Sequence, residues 1–230
     1  MFKPNIYQNR RIKLSEGLEN GIILLPGNNH VPMNYPSNTL RFRQDSNFLY
    51  YCGLDYPELN LIIDVISGES ILFGDNLSVQ DIVWEGSRTS LELMIELSGI
   101  SKIKSNSELK NYLSTVNGII HTLPTYRADQ KLFLNSTLNG TNKGSSKNLI
   151  QNVIQQRSIK SKEEISEIES ALSITAKMHE LAMKLTHDGI SEQYVVGQIE
   201  GYALSNGSRL AYPVIFTING EILHSNNYDN

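Results

Sequence analysis

Apolar positions along the chain recur with two periods, and the switches between them lay out the elements. Residues 10–18 place Ile12, Leu14 and Leu18 at helical spacing, and Asn20-Gly21 ends that pattern. Gly21-Ile22-Ile23-Leu24-Leu25-Pro26-Gly27 is a continuous apolar run between glycines, the pattern of a strand buried on both faces. Residues 28–38 are polar and rich in Pro and Asn, which predicts a loop. The aromatic-rich stretch at residues 47–54 predicts a strand over Phe48 to Cys52. Residues 59–66 and 70–73 flank Ser67-Gly68-Glu69, the pattern of a hairpin. Helical spacing returns at residues 90–97 with Leu91, Met94 and Ile95, closed by Gly99. Short strands expected at residues 100–103 and 118–122 bracket another helix carrying Leu109, Tyr112 and Leu113. Strands of this length alternating with helices predict an α/β fold with a mixed sheet flanked by helices.

The pattern changes after residue 135. Residues 135–146 are almost entirely Asn, Ser, Thr, Gly and Lys, which marks a loop or a domain edge, and the boundary is expected between Leu138 and Arg157. A helix follows around residues 147–156. Ser161 and Glu164 then have the spacing of a capping box. Behind them Ile165, Ile168, Leu172, Ala176, His179 and Ala182 share one face of a long helix, broken by Asp188-Gly189. Ser191 caps the next helix and Gly207 ends it. Residues 212–217 open a new strand. This second part is expected to expose apolar stripes and to be the less stable of the two, because about 75 residues is near the lower limit for an independent core.

Composition narrows the classes. The chain has 230 residues, 40% of them hydrophobic, and seven prolines, as in a folded globular protein and unlike a disordered one. Its net charge of −4 with scattered Lys and Arg argues against a nucleic-acid partner or an anionic membrane surface. The longest apolar runs fall far short of the ~20 residues needed to span a bilayer. Met1 to Ile6 has no apolar core of a signal peptide, and Cys52 is the only cysteine. A reducing, cytoplasmic location is expected, in which the sequons at Asn135, Asn139 and Asn206 are chance matches.

Few residues suggest chemistry by themselves. His179-Glu180-Leu181-Ala182-Met183 begins like a zinc helix, but Met183 stands where the second histidine is needed. Gly140-Thr141-Asn142-Lys143-Gly144-Ser145-Ser146 has the wrong spacing for a phosphate loop and is expected to be a flexible one. Cys52, inside the expected strand beside Tyr50 and Tyr51, is expected to be structural. His30 and His121 lack visible partners, and Asp45, Asp55, Asp75 and Asp81 are expected at turns and caps. His224 lies among asparagines near the chain end.

Arg41-Phe42-Arg43-Gln44-Asp45-Ser46-Asn47-Phe48-Leu49-Tyr50-Tyr51-Cys52-Gly53-Leu54 resembles the signature of the N-terminal domain of Xaa-Pro aminopeptidases, the aminopeptidase P family. Trp84-Glu85-Gly86-Ser87-Arg88 resembles a second element of that domain. Arg157-Ser158-Ile159-Lys160-Ser161-Lys162-Glu163-Glu164-Ile165 is similar to the entry into the family's pita-bread catalytic domain. Residues 212–215 through Ile222-Leu223-His224 and Asn227 resemble the strand that delivers its first active-site histidine. The resemblance implies an N-terminal domain at residues 1–150 followed, at residues 157–230, by an incomplete α+β pita-bread domain. It implies release of the N-terminal residue from peptides with proline second. The metallopeptidase chemistry it implies uses two metal ions, usually Mn²⁺, which lower the pKa of a bridging water and polarise the scissile carbonyl. It makes His224 a substrate-contacting catalytic residue and places every metal ligand beyond it, so that no metal is expected to bind this chain and the chain alone is expected to be inactive. Ser225 departs from the aromatic often found at its position, and Asp229 falls too early to match the first metal aspartate. Asp188, Glu192, Glu200 and Glu221 lack the spacing that would bring carboxylates to one metal pair.

The partners so implied are proline-containing peptides and further copies of the chain in a homo-oligomer. A prolidase-type dipeptidase shares the same catalytic domain and is left open. So is a non-catalytic accessory, oligomerisation or peptide-binding domain. The sequence does not separate aminopeptidase from dipeptidase, and its ungrouped charge disfavours a non-catalytic module of the histone-chaperone type.

Overall fold

The structure, a computed structural model, describes residues 1–139, 141, 143–224, 227 and 228. In chain order its elements are α1 (Pro4–Ser15), β1 (Ile22–Pro26), β2 (Pro32–Tyr35), β3 (Asn38–Thr39), α2 (Ser46–Cys52), β4 (Asn60–Asp64), β5 (Ser70–Phe73), α3 (Val79–Glu85), α4 (Leu91–Ser98), β6 (Lys102–Lys104), α5 (Asn106–Ser114), β7 (Ile120–Thr122), α6 (Ala128–Thr137), β8 (Lys143–Ser145), α7 (Lys147–Ser158), α8 (Lys162–Leu185) and α9 (Glu192–Ser205). The chain divides into two compact units, residues 1–159 and residues 160–230.

The first unit is built on a six-stranded sheet in the order β6-β5-β4-β1-β7-β8. β1 pairs antiparallel with β4 and parallel with β7, while β5 runs antiparallel to β4 and parallel to β6. β8 runs parallel to β7, so β4 alone opposes the other strands. The apolar run of β1 is buried on both faces as its composition predicts. Alternation sends Ile23 and Leu25 to a core with Leu14, Phe48, Met94 and Leu149, from α1, α2, α4 and α7. Ile22 and Leu24 face a second core with Leu109, Leu113 and Leu134, from α5 and α6. Each fully buried aliphatic side chain contributes roughly 1.5–3 kcal/mol relative to exposure. The hairpin expected around Gly68 is β4–β5, and Gly99 closes α4 as read from sequence, while Ser90 is its N-cap.

Three local expectations are corrected. Residues 48–52, expected in the sheet, form helix α2. The Asp45 carboxylate accepts hydrogen bonds from the amides of Asn47 and Phe48, at 2.8 and 2.9 Å, and Gly53 ends the helix in a left-handed conformation at φ 74°. Phe48, Tyr51 and Cys52, at i, i+3 and i+4, then point together into the core, and tertiary burial overrides the aromatic strand preference. The polar segment 28–38 is not wholly loop, because β2 and β3 pair there as a separate ribbon. Of the segment resembling a phosphate loop, Lys143–Ser145 is the edge strand β8, whereas Gly140 and Asn142 lie outside the described residues.

In the second unit Ser161 and Glu164 form the expected capping box at the start of α8, with Glu164 N to Ser161 Oγ at 3.3 Å and Ser161 N to Glu164 Oε2 at 3.0 Å. Ser191 caps α9, which packs against α8 and buries Val195, Val196, Ile199 and Ala203. None of the 24 residues of α8 is fully buried, and Ile165, Ile168 and Leu172 remain exposed along one face. Residues 212–217, expected as a strand, run without a ladder partner among the described residues and lead into a 3₁₀ turn at Ile218–Gly220. A strand needs a neighbouring strand for its backbone hydrogen bonds, and none of the described residues of the second unit forms one with this segment. No helix of the described residues is long and apolar enough to cross a membrane.

Candidate functional site

His224 sits on an exposed bend after the 3₁₀ turn and has no hydrogen-bond partner among the described residues. Behind it the chain is tied back at two points. The Ile218 amide donates to the buried Glu192 carboxylate at 2.7 Å, and the Tyr228 hydroxyl donates to the Val214 carbonyl. Burial, and secondarily the charge of Glu200, pushes the Tyr228 phenol up. Glu192 is therefore a strut at the head of α9, Glu200 lies on α9, and Asp188 precedes that helix. Ser225 and Asp229 lie outside the described residues. Among the described residues no three His, Cys, Asp or Glu side chains gather closely enough to hold a metal ion. These residues do not fit a dinuclear site.

The remaining candidates separate clearly. His179 is exposed on α8, with Met183 also exposed one turn later. Cys52 is fully buried and its thiol is pushed up to about 12 by burial, which removes the thiolate at neutral pH. His121, on β7, donates from Nε2 to the Asn20 carbonyl at 2.9 Å and leaves Nδ1 buried without a partner. Asp45 caps α2, Asp81 completes a capping box with Ser78 at α3, and Asp75 accepts from the Ser105 hydroxyl. Asp45 and Asp81 are thus cap residues, as their type suggests, while Asp75 lies in irregular backbone against Ser105, the N-cap of α5.

A cavity that sequence reading did not anticipate opens at the edge of the sheet where β1 ends and β4 begins. It has a volume of about 250 Å³, and His30, Val31, Asn60, Asp129, Gln130 and Phe133 are among the residues that line it. In open α/β sheets ligands favour the edge at the carboxyl ends of the parallel strands, and this is that edge. Two of the lining residues, Asn60 and Gln130, are buried amides, and Gln130 is linked through Asn28 to Gln44; all four are at least nine-tenths buried. Gln44 is saturated, since Oε1 accepts from the amides of Asn28 and Asp45 while Nε2 donates to the Tyr56 and Leu54 carbonyls. At the rim Arg127 grips Asp129 at both oxygens, at 3.0 and 2.7 Å, and holds that carboxyl below its ordinary range. His30 leans on Phe42 with ring centroids 5.4 Å apart. Asn28 and Gln130 meet across more than a hundred residues of sequence, so no local signal could have paired them.

Comparison with known proteins places this architecture. The family described as the aminopeptidase P N-terminal domain matches residues 7–120. The Xaa-Pro aminopeptidase of Escherichia coli K12 is 29% identical over 238 residues, an alignment that covers 95% of this chain and 54% of that protein. A probable Xaa-Pro aminopeptidase of Fusarium vanettenii is 28% identical over 80% of this chain and 39% of its own length. The low-pH form of E. coli aminopeptidase P superposes with a TM-score of 0.77 at 24% identity, covering 90% of this chain and 50% of that one. The chain spans about half the length of the curated relatives it matches. Related E. coli structures hold a zinc-substituted enzyme with product and an enzyme with the inhibitor Pro-Leu.

Proposed function

We propose that the chain is the N-terminal portion of a metal-dependent Xaa-Pro aminopeptidase of the aminopeptidase P family. By this reading residues 1–150 act as its accessory domain and residues 157–230 as the opening of its pita-bread domain. The activity is release of the N-terminal residue from peptides whose second residue is proline, in a cytoplasmic homo-oligomer that uses Mn²⁺. The observation that carries the reading is continuity: relatedness to the E. coli enzyme covers 95% of the chain, well beyond the matched N-terminal domain. His224, exposed and without a hydrogen-bond partner among the described residues, is free to give a hydrogen bond to bound peptide. By the same reading the metal ligands are not supplied by residues 1–230, and that segment alone releases nothing.

The test uses residues 1–230 and a full-length family member carrying this segment, each with an Xaa-Pro peptide and Mn²⁺. Residues 1–230 should show no release with or without metal, and His224→Ala should leave their folding unchanged. In the full-length enzyme His224→Ala should lower kcat about 10²–10³-fold, the effect of removing one transition-state hydrogen-bond donor. Metal-dependent release by residues 1–230, abolished by His224→Ala, would falsify the placement of the metal ligands elsewhere.

A further inference from the structure

Two relays of side-chain amides run through the first unit, and both end at the cavity beside β1 and β4. In one, the Arg43 carbonyl accepts from Asn28 Nδ2 at 2.8 Å, and Asn28 Oδ1 accepts from Gln130 Nε2 at 2.9 Å. In the other, the Glu58 carbonyl accepts from Asn106 Nδ2 at 2.8 Å, and Asn106 Oδ1 accepts from Asn60 Nδ2 at 3.2 Å. A backbone carbonyl can only accept, so it fixes which way the first amide faces, and that amide fixes the second. Each relay therefore has one outcome: its last member turns its nitrogen into the protein and keeps its oxygen. Gln130 Oε1 and Asn60 Oδ1 have no donor among the described residues, and both residues line the cavity while being more than nine-tenths buried.

Both oxygens open onto the cavity and are not sealed in the packed interior, so a ligand that donates can pair the two acceptors at once. The lining has no Lys or Arg to supply N–H groups, and its donor-capable side chains, Asn29 and His30, lie in the exposed loop after β1. Asp129 adds a carboxylate at the rim, while Val31 and Phe133 offer apolar surface. The volume of about 250 Å³ is below the roughly 300–1,000 Å³ of pockets for drug-sized ligands. We propose that this cavity binds a small aliphatic molecule, or a chain terminus, with a primary –NH₂ or –NH₃⁺ head whose N–H groups donate to Gln130 Oε1 and Asn60 Oδ1. The site is in the accessory domain and does not depend on the catalytic reading above.

The experiment titrates the isotope-labelled 230-residue chain, followed by amide NMR, with isobutylamine, isobutyramide and isobutyrate. The amine or the amide should give saturable shifts at Gly27, Val31 and Gln130 with Kd on the order of millimolar, and the carboxylate none. Tighter binding of the amine assigns an ammonium head, and tighter binding of the amide assigns a neutral one. Gln130→Met should weaken binding at least tenfold. Because that change also deprives Asn28 of its donor, Val31→Arg provides a second arm: it fills the cavity from a half-buried loop position, touches neither relay and should abolish the shifts. Absence of saturable shifts up to about 50 mM overturns the proposal, as do equal binding of isobutyrate and shifts that survive both substitutions.

Discussion

Replacing Arg11 by methionine should destabilise the first unit by about 3 kcal/mol. Arg11 is 2% exposed, and its guanidinium gives hydrogen bonds to the Tyr51 carbonyl at 2.9 Å, the Ser98 carbonyl at 3.0 Å, the Gly99 carbonyl and the Ser70 hydroxyl at 3.0 Å. Tyr51 is in the last turn of α2, and Ser98 and Gly99 end α4, so one cation satisfies the negative ends of two helices. Three carbonyls, two buried and one part-buried, losing their donor cost roughly 3–9 kcal/mol in total. Against that, burial pulls the guanidinium from 12.5 down to about 10, so methionine recovers a desolvation cost of about 3 kcal/mol. At the middle of that range the carbonyls outweigh the recovered desolvation by about 3 kcal/mol, and at its low end the two cancel. With a urea m-value of about 2 kcal/mol/M, the midpoint followed by circular dichroism should fall by about 1–2 M. The unfolded chain keeps this proton to higher pH than the native one, so the burial cost is constant below about pH 10 and is relieved only above it. The difference between wild type and Arg11→Met should therefore be flat from pH 6 to pH 9. An unchanged or raised midpoint for Arg11→Met would show that desolvation outweighs the helix-end bonds, and the reasoning would be wrong.

Cys52 should react with thiol reagents about 10³-fold more slowly than a free cysteine, because its thiol is pushed from 9.0 up to about 12; fast labelling of folded protein would contradict this. The same elevation makes the native state hold a proton that the unfolded chain loses, so stability should fall between about pH 9 and pH 12, and Cys52→Ala should remove part of that slope while the raised Tyr51 phenol retains the rest. Gly53→Ala forces a side chain into φ 74° and sets a Cβ against Tyr7 Cζ, a cost of about 2–4 kcal/mol that should lower Tm by roughly 5–15 °C; a drop under about 2 °C would count against the close approach. Amide exchange should be at least ~100-fold slower in β1 and β4 than in α8, which buries none of its residues fully; equal protection in a monomer would refute the difference in local stability.

The central sheet was legible where short-range pattern and burial agree. Ile22 to Leu25 and the β4–β5 hairpin each announce themselves within a dozen residues. Helix α2 was misread because a short apolar run does not distinguish strand from helix, although Asp45 and Gly53, its cap and its stop, were both in view. Arg11 lies in a helix with polar neighbours and reads as solvated, because its carbonyl partners come from residues 40 and 87–88 positions away. The amide relays depend on contacts of the same kind: Gln130 reaches Asn28 across 102 positions, and only the assembled sheet sets them side by side. His224 was singled out by family resemblance, and nothing in its own surroundings marks it.

The lone reversal of β4 imposes an order on the nascent chain. β1 acquires its first neighbour when residues 60–64 have been made, but its second, β7, comes only at residues 120–122. At about 5–20 residues per second, roughly 5–20 s separate synthesis of Leu25 from that of Ile120. Throughout that interval the most apolar strand of the protein has an open edge, and an uncovered apolar edge is a template for pairing with another chain. Crowded polysomes are where that hazard would be greatest. It ends when Ile22 and Ile23 take their places beside Ile120 and His121, so strand order sets how long each newly made copy needs protection from its neighbours.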